Sequence, residues 1–310
     1  MLNAVNEELL DYTSFVSFVK ENIKERMGHG YKVKVYKVMK NNSLELDSLV
    51  VLKEDRSFAP NIYLNAYYES YLEGTCIREI MDRLCMIYSH CAVPAVQDNF
   101  EYSFELMKPY IFFRIISLDR NKKMLAQIPY MEFLDLAITF HCLVRSEEDN
   151  IATIQITNEH IRLWGVTSQD IKDLAFENTR RLFPPVIKSI GEMINGIISG
   201  DIGEKEGIII ENDCNDEFPM YVLTNVKGIN GASCLLYKDV IKELAQLLKS
   251  DLYILPSSIH ELILVPMVST KDKESFSRMV MEINSSQLPV EEILADHVYI
   301  YSLSRDTISL

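Results

Sequence analysis

The last third of the chain has the pattern that most constrains the fold. Four short apolar segments in it predict strands, namely residues 220–225, 252–255, 261–266 and 297–303. Two segments with apolar side chains at helical spacing lie between these strands, at residues 240–248 and 271–284. The second helix is expected to direct four apolar side chains inward, namely Phe276, Met279, Val280 and Ile283. The order β-α-β-β-α-β predicts a ferredoxin-like, split βαβ arrangement with both helices on one face of the sheet.

The rest of the chain predicts two further regions. Residues 1–97 indicate an N-terminal lobe of a helix, a β-hairpin and further helices, because helical spacing gives way to alternation at residues 31–49. Residues 98–218 indicate a middle α+β region, whose nearly continuous apolar run at 133–144 predicts one central strand. Residues 219–310 are the split βαβ-like region, and the last two regions can also form one domain. The predicted fold class is therefore α+β, an N-terminal α/β-hairpin lobe followed by one or more mixed sheet domains.

Polar residues mark the limits of two helices in the middle region. Thr157 or Asn158 is expected to cap the first helix, which Gly165 ends. Thr167 or Ser168 is expected to begin the second and longer helix.

The charge of the chain disfavours nucleic acid as a partner. Lys plus Arg total 31 and Asp plus Glu total 45, which gives a formal net charge of −14. Such a surface repels a phosphate backbone unless basic residues are segregated. The one concentrated basic run contains Lys32, Lys34 and Lys37, whose alternation predicts the solvent-facing side of a strand.

Cysteine spacing and the length of apolar runs indicate a cytoplasmic protein. The six cysteines include no CxxC pair and none at zinc-ligand spacing from a histidine, so we interpret them as free thiols in a reducing compartment. Residues 1–20 have acids where a signal peptide has bases. No apolar run approaches the roughly 18 residues needed to span a bilayer. We therefore expect no membrane association, no metal and no cofactor.

The loop at residues 256–261 is the first candidate binding site. It contains Ser257, Ser258, His260 and Glu261, all expected to lie between two strands. A Ser-His nucleophile needs the imidazole within hydrogen-bond reach of the hydroxyl and a third group that orients the ring. No GxSxG elbow accompanies these serines. A hairpin connection whose serines bond to backbone amides is the competing structural interpretation.

The turn at residues 225–233 is the second candidate. Asn225, Gly231 and Ser233, together with Lys227 and Gly228, suggest a strand-to-helix turn that presents backbone amides to an anion. The spacing matches neither a Walker loop nor GxGxxG, so an ordinary turn is the alternative. The sequence leaves open whether this turn and the loop at 256–261 share one face.

Two polar residues in apolar surroundings form a second tier of candidates. Asp135 interrupts the predicted central strand, so its carboxylate must be paired, hydrogen-bonded or placed at a strand end. Asn178 lies on the apolar face of a helix and is expected to bridge to buried backbone. Glu291, Glu292 and Asp296 are interpreted as solvated charges.

Three stretches of sequence carry a family resemblance. They are TNEHIRLWG with AFENT at residues 157–165 and 175–179, YVLTN with GAS at 221–225 and 231–233, and DLYILPSSIHE at 251–261. With them, nearly the whole chain resembles a bacterial domain-of-unknown-function family of gut anaerobes. Residues 150–303 are more distantly similar to the YtpQ-like uncharacterised proteins. Neither resemblance implies a reaction.

These observations favour a non-enzymatic cytoplasmic module that binds or regulates a protein partner. What favours it is that no metal set, catalytic triad or phosphate loop is present in the sequence. The competing hypothesis is a hydrolase or transferase that uses His260 with Ser257 or Ser258, assisted by Glu261 or Asp135. A position of His260 within about 3.2 Å of a serine hydroxyl distinguishes the two hypotheses.

Overall fold

The structure is a computed structural model that groups the chain into two compact units. The residues it describes are 9–54, 61–90, 103–146, 151–192, 207–209, 219–237, 239–267 and 272–310. The first unit comprises Met1–Lys40 and Leu44–Glu101, and the second comprises Asn41–Ser43 and Tyr102–Leu310. We describe each unit by itself.

The first unit packs three helices with a small antiparallel sheet. Its elements are α1 (Tyr12–Met27), β1 (Tyr31–Met39), β2 (Glu45–Lys53), β3 (Ile62–Tyr63), α2 (Leu64–Leu72) and α3 (Ile77–His90). The strand order is β1-β2-β3. Phe15, Val19 and Ile23 recur every four residues on α1 and are fully buried against Leu49 and Leu84. Lys32, Lys34 and Lys37 are exposed on β1, as predicted.

The second unit contains six helices of four residues or more in its described part. They are α4 (Phe104–Met107), α5 (Lys122–Leu125), α6 (Asn158–Trp164), α7 (Ser168–Leu182), α8 (Val240–Leu248) and α9 (Lys273–Ser286). Thr157 and Thr167 cap α6 and α7 with their side chains, and Gly165 ends α6 in the left-handed conformation. These three local predictions are confirmed. No helix among the described residues is both long and apolar enough to cross a membrane.

A four-stranded antiparallel sheet forms one half of the second unit. Its strands are β4 (Ile111–Ser117), β5 (Tyr130–Phe133), β6 (Leu136–Ser146) and β7 (Ile151–Gln155). β6 is central, since one edge pairs with β4 and the other with β5 and then β7. The predicted single strand at 133–144 is wrong at its start. Leu134 (φ 55°) and Asp135 form a hairpin turn, so Phe133 belongs to β5.

A seven-stranded sheet forms the other half of the second unit. Its strands are β8 (Pro185–Ser189), β9 (Gly207–Ile209), β10 (Tyr221–Asn225), β11 (Leu252–Pro256), β12 (Leu262–Pro266), β13 (Tyr299–Ser302) and β14 (Thr307–Ser309). They lie in the order β14-β13-β11-β12-β10-β8-β9. The chain order β10-α8-β11-β12-α9-β13 is the predicted β-α-β-β-α-β pattern. This order and the α+β fold class are confirmed.

The two helices of this pattern lie on opposite faces of the sheet, so the predicted single helical layer is wrong. Ile241 and Leu244 of α8 share a core with Ile254, whereas Phe276 of α9 packs with Tyr253. Adjacent residues of a strand point to opposite faces. The cause is topological. The crossover from β10 to β11 and the crossover from β12 to β13 both move in the same direction across the sheet. They start from strands that run in opposite directions, because β10 and β12 are antiparallel. Two crossovers of the same hand must then lie on opposite faces.

The inward face of α9 is narrower than predicted. Phe276, Val280 and Asn284 are buried, at a spacing of four residues. Met279 and Ile283 were expected to point inward, but the side chain of each remains 37% exposed. The reason is that α9 contacts only one face of β11 and its neighbours, so a single stripe of the helix is covered.

Asn178 forms the predicted bridge to buried backbone. Its Nδ2 donates to the carbonyl oxygens of Lys108 (2.8 Å) and Ile111 (3.2 Å), and its Oδ1 accepts a hydrogen bond from Arg181. These contacts tie α7 to the chain that enters β4. The Lys108 carbonyl also accepts a hydrogen bond from the main-chain N–H of Ile111.

We expect the Asn178→Ala variant to be less stable than the wild type by about 1–3 kcal/mol, because the buried Ile111 carbonyl and the half-buried Lys108 carbonyl each lose a donor. The measurement is the urea midpoint followed by circular dichroism. Gln169→Ala is a suitable control, since that exposed α7 side chain bonds only to Asp173 in the same helix. Equal midpoints for the Asn178 and Gln169 variants would show that the bridge contributes little.

Candidate functional site

The two candidate loops identified from the sequence meet at one edge of the seven-stranded sheet. We call residues 226–233 and 257–261 together the joined loops. Antiparallel pairing of β10 with β12 places the end of the first strand beside the start of the second. Ala232 N donates to Ile259 O (3.2 Å), which connects the loops, and Thr224 Oγ1 near the end of β10 donates to His260 O (2.9 Å). The sequence left this relation open, and the structure places both loops on one rim.

His260 is at the centre of the joined loops. Its Nδ1 accepts a hydrogen bond from the main-chain N–H of Asn230 at 3.1 Å, so the imidazole fixes the turn of the other loop. Its Nε2 lies 3.8 Å from Glu292 Oε1, and the two side chains are 32% and 35% exposed. The ring is therefore half-buried, with one nitrogen bonded to backbone and the other facing an acid at the surface.

The two serines stabilise their own loop. Ser257 donates its hydroxyl to Glu261 Oε1 at 3.1 Å. Ser258 is buried, and its Oγ accepts a hydrogen bond from the main-chain N–H of His260 at 2.9 Å. The hydroxyls thus bond to a carboxylate and to a backbone amide. Ser258 therefore makes the serine-to-amide bond that the hairpin-connection interpretation predicts, whereas Ser257 bonds to an acid instead.

Asn225 and Ser233 hold the other loop to the core. Asn225 is buried; its Nδ2 donates to Ile229 O and its Oδ1 accepts from Lys227 N, each at 2.9 Å. Ser233 is also buried, and its Oγ accepts a hydrogen bond from Ile115 N of β4 at 3.3 Å. Both side chains are used in positioning the turn.

Gly231 permits the close approach of the two loops. A Cβ at this position would overlap both Thr224 Oγ1 and the main-chain oxygen of His260, and would lie 2.9 Å from Asn225 N. Two of these three atoms belong to backbone that is fixed by strand pairing or hydrogen bonds. Glycine is therefore required here for space, since its φ is not in the left-handed region.

Asp135 contacts a polar cluster other than the joined loops. Its Oδ1 accepts a hydrogen bond from the hydroxyl of Tyr299 at 2.9 Å, and its Oδ2 lies 3.4 Å from His297 Nε2. Burial raises the pKa of Asp135, but His297 and Tyr299 favour the ionised form, and the net pKa is lower than usual. In the structure the partners of this carboxylate are Tyr299 and His297, so it does not assist His260 as the hydrolase or transferase hypothesis supposed.

Asp296 is not the solvated charge that the sequence suggested. It accepts from Arg120 Nη2 at 2.7 Å and from Asn284 Nδ2 at 2.9 Å. Burial raises the pKa of Asp296, and the bonds from Arg120 and Asn284 outweigh that effect, so the net pKa is lowered. Glu292, likewise predicted to be solvated, is half-buried beside His260.

Sequence reasoning missed Asn230 within the joined loops and Glu292 beside them. Asn230 had a usable signal, because Asn-Gly is a strong turn dipeptide and its φ of 54° is in the left-handed region. Glu292 had none, because its contact with His260 spans 32 positions of the sequence. Among the residues that the structure describes, no group of three or more His, Cys, Asp or Glu side chains is arranged to hold a metal ion.

Comparison with known proteins identifies a family and no activity. No curated protein matches the chain. No solved structure matches it either. Residues 12–303 match a family of unknown function, DUF5688, so the similarity includes both compact units and the joined loops. The chain is a member of the DUF5688 family.

Proposed function

We propose that this chain is a non-enzymatic binding protein that recognises a protein partner through the joined loops. We also propose, from the sequence, that the protein is bacterial and cytoplasmic and that it is distantly similar to the YtpQ-like proteins. The single observation that carries it is the hydrogen bond from Asn230 N–H to His260 Nδ1. Because the imidazole of His260 accepts this bond, the ring holds the two loops together as one surface.

The joined loops favour binding because they are already ordered by internal bonds. Ser257, Ser258, Asn225 and the His260 ring all have partners within the loops or the adjoining backbone. A preorganised loop loses little conformational entropy when it binds, so more of the contact energy appears as affinity.

The hydrolase or transferase hypothesis needs a different arrangement of the same residues. A nucleophilic serine must donate its proton to the imidazole at about 2.6–3.2 Å. Ser257 instead donates to Glu261, and Ser258 accepts from the His260 main chain. These bonds favour the binding function over catalysis.

The charge around the joined loops favours a partner with a basic surface. Glu261 and Glu292 are half-exposed there, and Glu291 precedes Glu292 in the chain. Lys227 is the one lysine or arginine within the joined loops. The chain as a whole has a net charge of −14, which steers basic proteins toward it. A partner that presents Lys or Arg side chains complements this rim.

The test is affinity purification from the native cell, followed by mass spectrometry, with the full chain as bait. We expect a stoichiometric partner that the Glu291→Gln/Glu292→Gln double variant retains about tenfold less well. The matched control is Glu274→Gln/Glu282→Gln, which removes the same charge from exposed positions of α9. Raising the salt concentration should weaken the wild-type complex. A chain that always elutes alone, or equal loss in both double variants, would contradict the proposal.

A further inference from the structure

A groove of about 510 Å³ lies in the second unit, lined by residues outside the joined loops. Its walls come from the segment before α8, the first turn of α8, the β13–β14 hairpin and Phe133 of β5. This volume is in the usual range of small-molecule sites, about 300–1,000 Å³. The groove is thus large enough for a ligand of metabolite size.

The carboxylate of Asp306 is held in place in the groove by two hydrogen bonds. Its Oδ2 accepts from Lys242 Nζ at 2.7 Å and its Oδ1 accepts from the Tyr301 hydroxyl at 2.6 Å. The hydrogen bonds from Lys242 and Tyr301 lower the pKa of Asp306, so the carboxylate is ionised at neutral pH. The positive charge of Lys242 is therefore already balanced within the groove.

Asp239 adds a second carboxylate that this ion pair does not balance. It precedes α8 but makes no side-chain capping hydrogen bond to that helix. Asp239 (φ 75°) and Asp306 (φ 52°) both have positive φ, a costly conformation for residues other than glycine. Among the described residues that line the groove, two carboxylates face one ammonium. The described lining therefore carries one more negative than positive charge, in agreement with the net charge of the chain.

The rest of the lining is apolar and aromatic. One wall of the groove is apolar and is formed by Phe133, Leu236 and Ile241. The ring of Tyr301 lies at the end that contains Asp306. Aromatic rings beside carboxylates attract cations, because the face of the ring is negative. An anionic ligand would be repelled by the two carboxylates. A ligand without an apolar part would make no favourable contact with the apolar wall.

We propose that this groove binds a small organic cation, an ammonium group attached to an apolar or aromatic body. The ammonium would lie near Asp239 and Asp306, and the body would cover Phe133, Leu236 and Ile241. The proposal goes beyond protein recognition by the joined loops, because it uses different residues and a different class of ligand.

The test uses three matched probes with the full chain: 4-phenylbutylammonium, 4-phenylbutanol and 5-phenylpentanoate. Affinities are measured by calorimetry, and the site is located by amide chemical-shift changes in two-dimensional NMR. We expect the ammonium to bind at least about tenfold more tightly than the carboxylate, with the alcohol between them. The shifts should concentrate at residues 235–242 and 301–308.

Charge variants separate the groove from the general acidity of the chain. Asp239→Asn should weaken ammonium binding by about fivefold, whereas Lys242→Gln should strengthen it by a few fold, because Asp306 loses its competing cation. Glu243→Gln is the control, since Glu243 is an exposed acid in the first turn of α8 that does not line the groove. It should leave affinity unchanged.

Four outcomes would overturn the proposal. They are preference for the carboxylate probe, no binding of the ammonium at 10 mM as an order-of-magnitude ceiling, shifts that lie outside the groove, and equal weakening by Asp239→Asn and Glu243→Gln. Thermal unfolding of each variant shows that the fold is intact. Failure of this test leaves the joined loops untouched, because none of their residues is altered.

Discussion

Replacing Gly231 with alanine should destabilise the second unit by about 3 kcal/mol, among the larger effects expected of a single methyl group. The added carbon would overlap Thr224 Oγ1 and the main-chain oxygen of His260. Relief requires that the two loops separate. Separation would break the bonds that join them, including that from Asn230 N–H to His260 Nδ1.

The matched control is Gly228→Ala in the same turn. Gly228 has φ 61° and open space around its missing Cβ, so alanine there costs only the left-handed conformation, about 1 kcal/mol. The measurement is the free energy of unfolding from urea titrations of both variants. Equal losses would show that the close approach of the loops is not what requires glycine at Gly231.

Lowering the pH from 7 to 5 should destabilise the fold through His141, by about 2 kcal/mol at pH 5. His141 lies on β6, where its Nε2 is 3.0 Å from Thr139 Oγ1 and its ring packs on Phe112. Burial, and then the charge of Arg114, hold the pKa of His141 well below 6.5. The unfolded chain gains a proton at this histidine below pH 6.5 while the folded chain does not. Stability therefore falls as the pH falls.

The experiment compares urea unfolding of the wild type and the His141→Gln variant from about pH 7.5 to about pH 5, a range that includes the ordinary pKa of histidine. The variant loses stability at pH 7 but should have a flatter pH dependence, because glutamine does not titrate. His29→Gln is the control, since His29 is exposed. An unchanged slope in the His141 variant would mean that the acid sensitivity arises elsewhere.

The charged residue Arg114 is buried beside His141, which is unusual for the interior of a sheet. Arg114 donates to Thr153 Oγ1 at 2.9 Å, while its Nε is buried without a hydrogen-bond partner among the described residues. Burial lowers the pKa of Arg114 to about 10, which still leaves it charged at neutral pH. The guanidinium therefore disfavours a second positive charge on His141, which strengthens the expected acid sensitivity.

Several local features of the fold and of the candidate site could be predicted from single positions. The caps at Thr157 and Thr167 and the bridge of Asn178 to backbone follow from the chemistry of those side chains alone. The candidate residues Ser257 and Ser258 were found the same way, as hydroxyls in a short loop between strands. Each needs only neighbouring positions of the chain to be recognised.

Contacts between distant segments could not be predicted. His260 meets Asn230 across 30 positions, and Asp135 meets Tyr299 across 164. Neither pair has a local signal, because hydrogen bonding between such segments depends on which strands become neighbours. The groove at Asp306 and Lys242 is hidden for the same reason, since the ion pair joins α8 to the β13–β14 turn.

In the last third of the chain the amino-acid sequence by itself determined the kinds of element and their order, and in the middle region it identified the caps of α6 and α7, because apolar periodicity and capping act within a few residues. Only the tertiary structure decided the faces on which α8 and α9 lie and the meeting of the joined loops. Those features depend on the pairing order of β10 to β13, and a crossover of fixed hand changes face when that order changes.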